Sequence, residues 1–200
     1  MIKLDSDTIF HYLNIAKNEY VKQAYRAFQY NQELSDKLRT LVNTKKYTHT
    51  DFTINDTKEI TDYPKDYLFA LGERVKIDIK DNKCHNLKVK YSDVIEATIE
   101  TVDKVLENSL SEYHLHYNQA KPVRVYTDNK IVLYTDGNYN IKEYELTYLR
   151  NAKDLGNNLI AEYTDLPEHT HQEIVDAAVT LYVTQLSATN SKDNKSEEKQ

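Results

Sequence analysis

The sequence predicts an α+β fold, with an N-terminal helical hairpin and a C-terminal helix packed with a central antiparallel β region. Three observations predict it. Apolar residues recur every three to four positions at both ends of the chain, apolar and polar residues alternate through the middle, and turn-forming residues separate the alternating runs. A chain of 200 residues is long enough to bury a sizeable core. We therefore expect one domain over 1–187, helical at 5–45, 92–110 and 166–187 and β at 46–91 and 121–163, followed by a disordered tail at 188–200.

Asp5-Ser6-Asp7-Thr8 offers several N-cap oxygens, and Ile9, Leu13, Ala16, Tyr20 and Ala24 then recur at helical spacing, so a first helix is expected to about Ala27. A second, from Gln32 to Val42, places Leu34, Leu38, Leu41 and Val42 on one side and completes the hairpin. From Lys46 the period changes to two, and β-branched and aromatic residues through Ile54 predict a strand. Tyr63-Pro64 leading into Tyr67-Leu68-Phe69-Ala70-Leu71 reads as a turn or a short helix start. Val75, Ile77 and Ile79, and after a polar turn Leu87, Val89 and Tyr91, read as paired strands.

Ser92 or Asp93 is expected to cap a third helix carrying Ile95, Ile99, Val102 and Leu106 on one stripe, ending near Asn108 to Ser111. Tyr113-His114-Leu115-His116-Tyr117 follows as a connector. Val123 to Tyr126, Ile131 to Tyr134 and Tyr139 to Leu149 predict a three-stranded antiparallel meander, with Asp136-Gly137 as the strongest hairpin signal in the chain. Asn151 to Asn158 reads as a loop, Leu159 to Tyr163 as a short strand, and the last helix runs to about Leu186 with Ile174, Ala178, Leu181 and Tyr182 on its apolar face. Beyond Ser187 the composition is too polar to offset the entropy of ordering.

Composition excludes several function classes. No run approaches the roughly 18 apolar residues of a membrane span, and the start of the chain carries no signal-peptide pattern, so a cytoplasmic setting is expected. Cys84 is the single cysteine, which rules out an intramolecular disulfide and a thiolate metal cluster. A net charge of −6 opposes wrapping nucleic acid by phosphate neutralisation. Three glycines, with no phosphate-cradling loop and no G-x-S-x-G turn, disfavour nucleotide-binding and serine-hydrolase chemistry. Seventeen tyrosines against four phenylalanines and no tryptophan point to an interface-rich protein, since tyrosine suits surfaces packed at one end and wet at the other.

Leu166-Pro167-Glu168-His169-Thr170-His171-Gln172-Glu173-Ile174-Val175 is the densest polar motif. Read for chemistry, its two histidines and two glutamates suggest a metal or acid/base site, to which His114 and His116 could be added. On a helix, however, His169 and His171 point about 200° apart, so they do not converge on one ion. Read for structure, Pro167 begins a turn, Thr170 and Glu173 form a capping box, and acidic groups favour a helix N-terminus. The structural reading is preferred, and no catalytic, cofactor or metal residue is assigned. Cys84-His85, the carboxylates Asp62, Asp66 and Glu73, and the series Tyr20, Tyr25 and Tyr30 each have a simpler reading as core, surface or interface.

Four stretches in order carry a family resemblance. They are Tyr12-Leu13-Asn14-x-Ala16-x-x-Glu19-Tyr20-Val21-Lys22-Gln23, the run Asn31 to Val42, Tyr63-Pro64-x-Asp66-Tyr67-Leu68-Phe69, and Leu166 to Val179, the last being the most specific. Together they resemble the structural ring, or head-to-tail connector (adaptor), proteins of crAss-like bacteriophages. Two places depart from that pattern: Leu106 to Leu110 stands where an Asn-Pro-Phe turn is expected, and Leu149-Arg150-Asn151-Ala152 ends the meander without proline. The resemblance implies a non-enzymatic virion protein of the neck region, assembled in the host cytoplasm into a homo-oligomeric, usually dodecameric ring between portal and tail. Such a ring contacts portal and neighbouring tail proteins and lines a conduit through which DNA passes without sequence-specific binding. An acidic lining suits passage, because a basic one would hold phosphates. A closed ring needs two different complementary faces per subunit; the candidate interface motif is Pro167, Glu168, His169, Thr170, His171 and Glu173. The alternatives are a metal-dependent hydrolase using His169 and His171, and a soluble assembly chaperone absent from the mature virion.

Overall fold

A computed structural model describes residues 5–28, 36–55, 57–80, 89–117, 119–156 and 163–197. Cys84, His85, Tyr30, the start of the second expected helix and most of the expected strand from Leu159 lie outside them. The fold is α+β, as expected, with a helix toward each end of the chain and strands between. Where the sequence reads as one domain, the chain partitions into two compact units, residues 1–42 with 151–200, and residues 43–150.

The first unit is helical. Helix α1 (Ser6–Phe28) buries Ala16, Val21 and Ala24. The chain is helical again at 36–38 and tightens into a 3-10 turn at Arg39–Leu41, with Leu38 and Leu41 fully buried. The last helix, α3 (His171–Glu197), buries Ile174 and Ala178. It runs antiparallel to α1: Tyr12 donates to Gln185 and stacks edge-on against Tyr182, while Lys37, following α1, meets Glu173 at the start of α3. Helical backbone continues past the expected end near Leu186, to Glu197.

The second unit holds two sheets. One has strand order β1 (Val42–Thr48), β9 (Tyr139–Arg150), β4 (Tyr67–Ile79), β5 (Val89–Ser92). The other has order β2 (Thr53–Asn55), β3 (Lys58–Asp62), β8 (Lys130–Tyr134), β7 (Val123–Thr127), β6 (Ile95–Ala97). Val75, Ile77 and Ile79 of β4, Ile131 and Leu133 of β8, and Ile141, Tyr144 and Leu146 of β9 meet in one core. Two-residue spacing puts one face of each strand inward, and in β9 an extra residue between Ile141 and Tyr144 restores the inward face after the shift. The expected β4–β5 pairing is present, with Val75 opposite Ser92 and Asp78 opposite Val89.

Four expectations are corrected. The single strand expected from Lys46 to Ile54 is broken by a 3-10 turn at His49–Asp51, where the Thr48 N–H donates to Asp51 Oδ2 at 2.7 Å, and the chain changes sheet there. Tyr67 to Leu71 belongs to the long strand β4, because Tyr67, Phe69 and Ala70 pair with Arg150, Leu149 and Tyr148 at the end of β9, with a register shift at Leu68 and another at Leu71. Ile95 to Ala97 is strand rather than helix: it lies parallel to Val123–Val125, Ile99 is exposed, and only Val102–Glu107 forms helix α2. The meander is divided, since β7 and β8 pair through a turn at Asp128-Asn129, with Asp128 at φ 43, whereas Asp136-Gly137 is a corner that sends β9 into the other sheet. Asp136 holds that corner by accepting the N–H groups of Asn138 at 2.9 Å and Leu115 at 2.8 Å.

The tyrosine excess also finds a place. Tyr47, Tyr113, Tyr139, Tyr144 and Tyr148 are buried in the strand unit. Tyr47, Tyr113 and Tyr139 donate to the backbone carbonyls of Asp62, Thr135 and Tyr113, and Tyr148 to the Asp66 carboxylate. Here tyrosine fills a core crossed by exposed carbonyls, a task phenylalanine performs less well because it leaves those acceptors unpaired.

Glu59 of β3 is a buried carboxylate. One oxygen accepts the Ile141 N–H at 2.8 Å, freed where Lys142 is an extra residue of β9 against β4, and the other oxygen has no hydrogen-bond partner among the described residues. Burial raises its pKa, with the Ile141 hydrogen bond opposing. A raised folded-state value means stability is fullest at acidic pH and is lost as pH rises through it. Glu59→Gln is therefore expected to be more stable than the parent by about 1 kcal/mol at neutral pH, with the difference shrinking toward pH ~4; urea titrations at the two pH values measure it.

Candidate functional site

The expected motif lies where α3 begins. Asp165 and Leu166 are buried, and Pro167, at φ −58 and ψ 142, precedes a 3-10 turn over Glu168–Thr170. Thr170 is fully buried, and both its N–H and its hydroxyl donate to the Pro167 carbonyl, at 2.9 and 2.7 Å. His171 donates through Nε2 to the Leu166 carbonyl at 3.0 Å. The turn is thus closed by its own side chains, leaving Glu168 and His169 exposed.

The capping-box expectation is corrected. The Glu173 carboxylate is engaged by Lys37 Nζ, at 2.9 and 3.2 Å to its two oxygens, while the Thr170 hydroxyl is spent on Pro167. The hydrogen bond to Glu173 raises the Lys37 pKa against the opposing cost of burial. The ring of Tyr20 lies 5.9 Å from the same ammonium, and burial, then the Glu173 charge, raises the pKa of its hydroxyl. These residues stand at a groove floored by Ala16, Ala24 and Ala177.

Sequence reasoning missed what holds the motif from behind. Lys17 is fully buried, and its ammonium donates to Asp154 Oδ1 at 2.8 Å, to the carbonyls of Lys153 at 2.9 Å and Ala152 at 3.3 Å, and to Asn14 Oδ1 at 3.3 Å. Asn14 completes the clamp by accepting the Leu155 N–H at 2.8 Å and donating to the Leu155 carbonyl at 3.1 Å. The Lys153 N–H in turn donates to Asp165 Oδ2 at 2.7 Å, and Thr40 donates to the Asp165 carbonyl at 2.7 Å. One signal was available: Lys17 interrupts the apolar face at one helical turn from both Leu13 and Val21.

In the strand unit, the carboxylates Asp62, Asp66 and Glu73 do not act together. Asp66 accepts from Tyr148 at 2.9 Å, and Glu73 joins a buried cluster. Arg124 grips Glu73 with two nitrogens, Nε to Oε2 at 3.0 Å and Nη2 to Oε1 at 2.8 Å, and reaches Glu96 at 3.0 Å. Tyr126 donates to Glu73 at 2.6 Å and lies under the guanidinium, 3.8 Å from its central carbon. Burial opposes the Arg124 charge, and the hydrogen bonds and charge of Glu73 outweigh it and raise its pKa. Burial likewise raises the pKa of Tyr126, reinforced by Tyr144 and Glu73. Both Glu73 oxygens are turned to Arg124 and Tyr126, so the chemistry of the cluster is that of a structural pin between β4 and β7.

The four histidines considered at the sequence level divide between the units. His114 and His116 have ring centroids 6.4 Å apart in the strand unit, and His169 and His171 belong to the helical unit. Among the described residues no group of three or more His, Cys, Asp or Glu side chains is arranged to hold a metal ion. No family model matches the chain, and no curated protein matches it.

Proposed function

We propose that this chain is a structural ring protein of a crAss-like phage virion, joining copies of itself between portal and tail around the DNA conduit. The reading is supported by four ordered sequence stretches. The observation that carries it furthest is on the helix opened by the most specific of them: Val175, Val179 and Val183 of α3 are 42%, 57% and 56% exposed. At four-residue spacing they form one apolar row. A neighbouring copy covering that row removes apolar surface from water, which is the main drive of most subunit contacts. Its rigid start suits an interface, because Thr170, His171 and Pro167 hold their geometry before any partner arrives. The charge of −6 suits a wall past which DNA slides.

Electron microscopy and mass photometry of the purified chain mixed with its portal test this. The expected result is a ring on the portal, with the chain stoichiometric in purified virions. Val179→Asp combined with Val183→Asp is expected to leave the monomer folded and reduce incorporation at least ~tenfold, about 1.4 kcal/mol of association free energy. A chain that never joins particles overturns the reading, and its absence from virions gives preference to an assembly chaperone.

A further inference from the structure

The strand unit contains a slot, about 830 Å³ in volume, between β5 and the segment 110–121. Ser92 ties its walls together by donating to the Ala120 carbonyl at 2.7 Å. β5 is the outer strand of its sheet, and among the described residues no backbone pairs with its outer edge. The slot is lined by Arg74 and Lys90, neither in an ion pair among the described residues, and by Lys121, which Glu112 already holds at 2.7 Å. Arg74 faces Glu145 across the ladder, but that carboxylate is engaged by Lys46 at 3.2 Å. Tyr91 of β5 is 61% exposed with Arg74 and Lys76 lying 5.6 and 5.4 Å from its ring. Beside it Tyr117, almost wholly exposed, is held at φ 48 in a turn closed by reciprocal His116 and Gln119 backbone bonds of 2.9 and 2.8 Å. A bulky side chain adopts that backbone conformation only at a cost.

We propose that this slot receives an extended acidic segment of a partner protein, which adds to the outer edge of β5 as a further strand. Unpaired strand-edge amides and carbonyls recognise a peptide backbone, and side-chain positions beside the edge supply selectivity. Arg74 and Lys90 meet its carboxylates, and Tyr91 and Tyr117 cover its apolar positions. A lone edge lysine serves to block pairing with other strands; a walled slot with two cations outside any ion pair among the described residues and two exposed tyrosines selects a partner instead. Single-stranded nucleic acid fits less well, because Asp93 and Glu112 also line the slot and a phosphate chain carries a charge at every nucleotide, whereas a peptide places carboxylates only opposite cations.

The test is fluorescence anisotropy of the full chain with a labelled peptide of alternating glutamate and valine, ~8 residues long. Saturable binding is expected at or below about 100 µM. Methylating alternate peptide amides is expected to weaken it ~tenfold, as are Lys90→Gln and Arg74→Gln, each checked for an unchanged melting curve. The lysine–valine counterpart and oligothymidylate are expected not to compete. Absence of binding overturns the proposal, as does equal affinity for the methylated peptide or for the lysine–valine peptide. Displacement by oligothymidylate reassigns the slot to nucleic acid. Ring formation is read from particles, so neither outcome here bears on it.

Discussion

Arg124→Met is expected to destabilise the strand unit by about 3–5 kcal/mol, the usual cost of removing one member of a buried ion pair. The side chains of Arg124 and Glu73 are 7% and 5% exposed. Without the guanidinium, the buried Glu73 carboxylate keeps, among the described residues, only the 2.6 Å hydrogen bond from Tyr126. Adding Glu73→Leu to Arg124→Met is expected to recover at least half of the lost stability, because apolar replacement of both partners removes the uncompensated charge. Urea unfolding followed by tyrosine fluorescence measures both, since the chain has 17 tyrosines and no tryptophan. A single-variant loss below about 1 kcal/mol, or a double variant no better than the single one, contradicts the role assigned to the pair.

Lys17→Met is expected to cost about 3 kcal/mol in the helical unit. Methionine matches the length of the buried stem and keeps its apolar contacts, so the loss isolates the ammonium. The carbonyls of Ala152 and Lys153 and Asn14 Oδ1 lose their ammonium donor, although Lys153 keeps the Tyr163 hydroxyl at 3.2 Å and Asn14 keeps the Leu155 N–H at 2.8 Å. Asp154 contributes little, being 77% exposed and free to turn to water, so Asp154→Asn should change stability by less than about 1 kcal/mol. Hydrogen exchange distinguishes clamp from filler. In Lys17→Met the amides of Lys153 and Leu155, now donating to Asp165 and Asn14, are expected to exchange markedly faster. Unchanged protection of both would show that the loop holds without Lys17.

The two variants also mark where sequence reasoning stops. Lys17 could be noticed on the apolar face of α1, yet three of its four acceptors lie 135 to 137 positions away. Glu73 looked like part of an acidic surface because its nearest carboxylates are close in sequence, while Arg124, 51 positions on, decides its environment. The Asp136-Gly137 signal was read correctly as a sharp bend and wrongly as a hairpin. Turn chemistry specifies the local backbone, whereas a second sheet competing for β9 is a remote fact. Ile95 to Ala97 failed for the same reason, since a parallel partner, Val123–Val125, leaves no local mark on three residues. Tyrosine abundance was visible, and its placement was not: five of these side chains lie in the strand core, four of them with carbonyl or carboxylate partners that composition does not reveal.

By itself the sequence determined the class of each region, through the three-to-four-residue period of α1 and α3 and the two-residue period of Val75 to Ile79. It also determined where the last helix opens, because proline, threonine and histidine at 167 to 171 act on backbone within a few residues. The tertiary structure alone decided which sheet each strand joins and which partner each buried charge takes. Those choices are made among distant segments, and the arrangement that prevails is the one that buries apolar surface while leaving few polar groups unpaired.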